Sequence, residues 1–124
     1  MAESVEIQLR RILEDYDEQV QRVANSAITQ VARETVKRLK SSSPRKSGSY
    51  ARGWAIKNLN VHGSIVDIVV HNRTDYQLTH LLENGHLVVN KKGTYGRAPA
   101  HPHIGPAEEW ANNELPAEIE RRLG

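Results

Sequence analysis

Residues 3–40 contain neither glycine nor proline. Apolar side chains recur there at steps of three or four: Val5, Leu9, Ile12, Tyr16, Val20, Val23, Ala27 and Val31. A second set continues through Ile28, Ala32, Val36 and Leu39. That spacing predicts one long amphipathic helix with a moderately wide apolar stripe. Glu18/Arg22 and Glu34/Arg38 are i,i+4 pairs in the favourable order. Ser41-Ser42-Ser43-Pro44 ends the run, because the residue before proline avoids the α region. Such a helix would be roughly 55 Å long at 1.5 Å per residue. A domain of this size has a radius of gyration of about 14 Å. The helix must therefore bend, break or pack against a neighbouring subunit.

What remains of the chain limits the core. The protein has 124 residues, enough for one domain, with 38% hydrophobic residues, two Trp, four Tyr and no Phe. The core must be built from Val, Ile, Leu and Ala. Cysteine is absent, which removes disulfides, zinc thiolates, iron–sulfur clusters and cysteine nucleophiles. No apolar run approaches a membrane span, and Met1-Ala2-Glu3-Ser4-Val5-Glu6 does not resemble a secretory signal.

Charge is segregated along the chain. Residues 1–20 hold six acids and two Arg. Between Thr35 and Val66 there is no acid, but there are seven bases: Lys37, Arg38, Lys40, Arg45, Lys46, Arg52 and Lys57. Residues 108–120 hold five acids and no base. The net charge of +2 alone does not imply nucleic-acid binding.

Beyond the loop at 41–49 the pattern alternates. Residues 54–61 and 65–70, separated by His62-Gly63-Ser64, predict an antiparallel hairpin. Asp75 is placed to cap a short helix carrying Leu78, Leu81 and Leu82, which Asn84-Gly85 would stop. Leu87-Val88-Val89 predicts a third strand, and Lys91-Lys92-Gly93 a turn. Residues 93–106, with three Gly and three Pro, predict an exposed loop. Pro106 fits the first turn of a closing helix, with Glu108 and Glu109 at its positive end and Pro116 kinking it. The expected architecture is α+β within one domain, 1–124. A long helix (1–42) packs on a small antiparallel sheet with loops and a short helix (43–105), and a C-terminal helix (106–124) follows.

Chemistry is weakly signalled. Six histidines are many for this length, and His80, His86, His101 and His103 with Glu83 would suit a nitrogen–oxygen zinc site. Their spacing matches no closed zinc motif, and packing at strand and helix ends explains them as well. No serine sits in a nucleophile elbow, no carboxylates form a catalytic pair, and Gly93-Thr94-Tyr95-Gly96 lacks the lysine of a phosphate loop. The basic stretch 37–57, with Tyr50 and Trp54 interleaved, suits a sequence-independent nucleic-acid contact. It equally suits a solvated face that meets an acidic surface, and Trp54 opens a strand, where core packing is expected.

Three blocks carry a resemblance. Ser43-Pro44-Arg45-Lys46-Ser47-Gly48-Ser49-Tyr50-Ala51-Arg52-Gly53-Trp54 resembles the "Ser-Pro-x-x-Thr/Ser-Gly-x-Tyr/Leu" signature of minor tail-component proteins of long-tailed phages. Residues His71 to His86 resemble the family's "Asn … Tyr … Leu-Glu-x-Gly-His/Thr" block, and Pro102-His103-Ile104-Gly105-Pro106-Ala107 its "Pro-His/Phe-x-x-Pro-Ala" block. Ser47 stands where Thr is common and Asn84 where an aromatic is common.

The resemblance implies a non-enzymatic tail-completion, or head–tail joining, protein without cofactors. It would reside in the virion neck and in the host cytoplasm during assembly. The expected partners are further copies in a ring, typically six-fold, the head connector or stopper, the tail tube or tail terminator, and DNA passing through the lumen. It implies that Pro44 and Gly48 shape the loop and that Tyr50 and Trp54 anchor it. Tyr76, Leu82, Glu83 and Gly85 would form the short helix and its stop, and Pro102, His103 and Pro106 would orient the last helix. Arg45, Lys46, Arg52, Lys91, Lys92 and Arg97 are the expected DNA or subunit contacts.

Overall fold

The computed structural model describes residues 5–7, 18–44, 48–59, 66–90 and 93–124, with the backbone alone for 5–7, 86–90 and 93–95. The fold is mixed helix and sheet. In order, the chain forms β1 (Val5–Ile7), α1 (Glu18–Ser42), α2 (Ser49–Arg52), β2 (Trp54–Asn58) and β3 (Ile68–Asn72). There follow a 3₁₀ turn (Tyr76–Leu78), α3 (Thr79–Asn84), β4 (His86–Asn90), β5 (Gly93–Ala98) and α4 (Ile104–Leu123).

The long helix begins later than its sequence period suggests. Residues 5–7 are a strand, and the helix proper is the 25 residues of α1. Val5 and Ile7 are spaced equally well for a strand, and pairing with β3 selects that state. The rest of the apolar repeat before Glu18 lies outside the described residues. At about 1.5 Å per residue, α1 is roughly 37 Å long, a smaller overhang than a helix from residue 3 would have.

The hairpin forms in antiparallel register from Trp54↔Asn72 to Asn58↔Ile68, and β1 adds to the other side of β3 with Val5↔Val70. The order of this sheet is β1-β3-β2. Its turn at His62-Gly63-Ser64 lies outside the described residues. The expected third strand does not join it. β4 pairs with β5 in a separate two-stranded sheet, with an irregularity between Leu87 and Val89. Gly93–Ala98 is therefore a strand, where glycine and proline content had predicted a loop. Backbone pairing with β4 overrides local propensity there.

α1 lies over β2 and β3 on one side and packs most extensively on α4. Ala24, Ala27, Ile28, Val31, Ala32 and Leu39 of α1 meet Ile104, Ala107, Ala111 and Leu115 of α4 in the core, with Tyr50, Trp54, Ile68 and Val70. The alanines let the two helices approach closely. α4 runs unbroken through Pro116. The proline and Asn112 both lie on the exposed face, so the carbonyl that proline leaves free reaches water. Among the described residues no helix is long and apolar enough to cross a membrane.

Candidate functional site: a buried clamp joining three segments

Ser43, at the end of α1, donates through its hydroxyl to the Leu39 carbonyl. The same oxygen accepts the indole N–H of Trp54 at 2.8 Å. Gly48, at φ 83°, turns the chain into α2, which carries Tyr50 inward. Gly53 then lies against the next turn. A Cβ there would stand 2.2 Å from Thr74 Oγ1 and 2.5 Å from Asn72 Oδ1. Only glycine allows that approach, and Arg73 N–H donates to the Gly53 carbonyl at 2.8 Å.

Asn72 ends β3 fully buried. Its amide donates to the Tyr50 carbonyl at 2.7 Å, and its Oδ1 accepts the Asp75 N–H at 2.8 Å. Asp75 occupies the expected cap position but makes no side-chain cap bond. Its carboxylate instead accepts the hydroxyl of Ser49 at 3.0 Å, tying α2 to this turn.

Glu83 is the centre of the site. It is 6% exposed. Its Oε1 accepts the N–H groups of His103 at 2.7 Å and Ile104 at 2.8 Å, and Oε2 accepts that of Gly105 at 2.9 Å. These are the free donors of the first turn of α4, where a negative charge also meets the helix dipole. Sequence placed Glu108 and Glu109 at that end. α4 starts at Ile104, so both acids fall past its first turn, and Glu83 takes the role. Burial pushes the Glu83 carboxyl up, but the Gly105, His103 and Ile104 N–H groups and the His103 ring outweigh it, holding it below its ordinary 4.5.

His103 is buried beside Glu83. Its Nδ1 faces two acceptors, the His101 carbonyl at 2.6 Å and Glu83 Oε1 at 3.0 Å, and so carries the hydrogen. In the neutral ring, Nε2 then accepts the Tyr50 hydroxyl at 2.7 Å. Burial, then the charges of Glu83 and Asp75, push the Tyr50 hydroxyl above its ordinary 10.0, keeping it a donor. The rings of Tyr50, Trp54 and His103 stand edge-to-face, with centroids 5.5–6.1 Å apart.

The arrangement is a lock between segments. The polar atoms of Tyr50, Asn72, Glu83 and His103 are paired with one another or with backbone. Among the described residues, His80, His101 and His103 do not assemble a zinc site. Both nitrogens of His103 are engaged, the His101 ring is exposed while its backbone serves the clamp, and among the described residues no group of three ligand side chains converges. His80 is exposed on α3, and the side chain of His86 lies outside the described residues. Tyr50 and Trp54 are buried at 5% and 2% exposure, so neither offers a face to a nucleic-acid base.

The remaining expected residues are spread around this centre. Pro44 and Leu82 are half-buried, and Leu82 packs on the core, its carbonyl accepting the His101 N–H at 2.8 Å. Gly85 stops α3 at φ 76°. Pro102 and Pro106 border a shallow groove with Arg38, which stacks 3.9 Å over Trp110. Tyr76 is 64% exposed and stands apart from the clamp. Arg52 and Arg97 are exposed, and Arg45, Lys46, Lys91 and Lys92 lie outside the described residues. Sequence reasoning did not single out Ser43 or Asn72 as site residues. The only available signal was an Asn three residues before an Asp at the end of a strand, an Asx-turn pattern.

This buried lock draws on all three motif blocks of an α+β fold. Over residues 7–85 the chain matches the family described as "Bacteriophage HK97-gp10, putative tail-component". The chain belongs to this HK97-gp10-like family of phage tail components. The match covers Ser43 through Gly85, and the third block, with His103, lies beyond it. No curated protein and no solved structure matches significantly.

Proposed function

We propose that the protein is a non-enzymatic joint of the phage neck. Copies of it form a ring, six in number, between the head connector or stopper and the tail tube or tail terminator, and DNA passes through the centre. It acts in the virion, after assembly in the host cytoplasm. Membership of the tail-component family carries this reading. The clamp supports it, since a subunit that transmits load between head and tail needs its helices fixed to its sheet.

The test is deletion of the gene in the phage or prophage that carries it, with complementation in trans. Electron micrographs of the deletion lysate should show DNA-filled heads and separate finished tails, and complementation should restore joined particles. Normally joined, infectious particles without the protein would refute the reading.

A further inference from the structure

The groove between α1 and β2 has an apolar floor and a basic rim. Val36, Ala55 and Ile56 line it half-buried, and Arg33 and Lys37 stand exposed beside them around a depression of about 350 Å³. β2 is an outer strand, bordered only by β3 among the described residues. Folded proteins ordinarily cover or charge such an edge. The charged groups of Arg33 and Lys37 have no ion-pair or hydrogen-bond partner among the described residues, and Lys37 takes part only through its carbonyl, which accepts the Ser41 hydroxyl. Glu34, the acid nearest in sequence, accepts the Gln30 side chain instead.

The complementary charge lies on α4. Glu114 and Glu118 are taken by Arg121 and Arg122 within the same helix. The carboxylates of Glu108 and Glu109 have no ion-pair or hydrogen-bond partner among the described residues. They border a second depression, about 430 Å³, with Ile104 and Asn112. Glu108 and Trp110 project about 200° apart around the helix, so Glu108 points away from the Arg38 contact. No bond joins Glu108 or Glu109 to Arg33 or Lys37 within the chain.

We propose that the basic groove of one copy receives the Glu108–Glu109 flank of α4 from a second copy, head to tail. The inference rests on the ring reading and names the surfaces that build the ring. A contact between two different surfaces leaves one of each open until rotation closes the circle.

The wild-type protein tests this, because carbodiimide joins a lysine amine directly to a touching carboxylate. Joined particles containing equal parts of heavy-isotope-labelled and unlabelled protein are treated and digested. The expected product links Lys37 of one label to Glu108 or Glu109 of the other. Arg33→Glu with Lys37→Glu should lower the yield of joined particles on the order of tenfold or more, and adding Glu108→Lys with Glu109→Lys should restore it. Native mass spectrometry showing a ring that lacks this link would overturn the contact and leave the ring reading standing. Single copies in joined particles would overturn both. Ultraviolet cross-links from the Lys37 peptide to DNA would make DNA the occupant and also overturn the contact.

Discussion

The Tyr50 hydroxyl and the Nε2 of His103 lie 2.7 Å apart, although 53 positions separate them in sequence. This bond fixes the start of α4 to the loop that follows α1. Tyr50→Phe keeps the ring contacts and removes only the donor. Leaving a buried acceptor unpaired costs about 1–3 kcal/mol. Chemical denaturation should show that loss with an unchanged slope against denaturant, and a variant as stable as wild type would mean that the bond carries nothing.

Glu83 should make stability depend on acidity. Its pKa is lowered in the fold, so its contribution is complete above the ordinary value of 4.5 and fades as pH falls through the lowered value. Glu83→Gln cannot supply acceptors to all three N–H groups. It should be about 2 kcal/mol less stable at neutral pH. The gap to wild type should narrow as unfolding is measured at successively lower pH below 4.5. A constant gap would place the effect in packing rather than charge.

Gly53 and Gly96 offer a matched contrast. Gly53 has φ −76°, comfortable for any residue, but no room for a Cβ. Gly96 has φ 100° and nothing within 4 Å of a Cβ. Gly53→Ala should therefore cost more, about 2–4 kcal/mol from overpacking and a displaced Asn72. Gly96→Ala should cost about 1–2 kcal/mol through backbone strain alone. Thermal melts of the two variants check the order, and the reverse ranking would contradict the packing around Asn72.

Pro116 should be replaceable at a gain. It interrupts the hydrogen bonding of an otherwise regular helix on an exposed face. Pro116→Ala restores a donor and helix propensity, partly offset by a freer unfolded chain. The expected gain is about 1–2 kcal/mol, read as a raised melting temperature, and a lowered one would mean that the proline fixes a bend the protein needs.

α1 was legible because its apolar stripe repeats over many turns, and β2 with β3 because their alternation is sustained. β1 was not, since three residues fit a strand and a helix equally well. β5 was hidden by its glycines, which signal a loop when neighbours are ignored. The clamp was legible only as landmarks. Glu83 and His103 stood out through resemblance, but nothing local to Glu83 announces that its carboxylate serves a helix beginning 21 residues later. Such a contact depends on tertiary placement, and sequence spacing carries no trace of it.

The position of α4 bears on synthesis. Val5 pairs with Val70, and the core stripe of α1 is completed by Ile104, Ala107, Ala111 and Leu115 near the other end of the chain. Contacts so distant in sequence form slowly. A nascent chain emerging from the ribosome therefore has an uncovered α1 until residues 104–115 have been translated. Until then α1 exposes the apolar stripe that α4 later covers, so the two helices complete the core together.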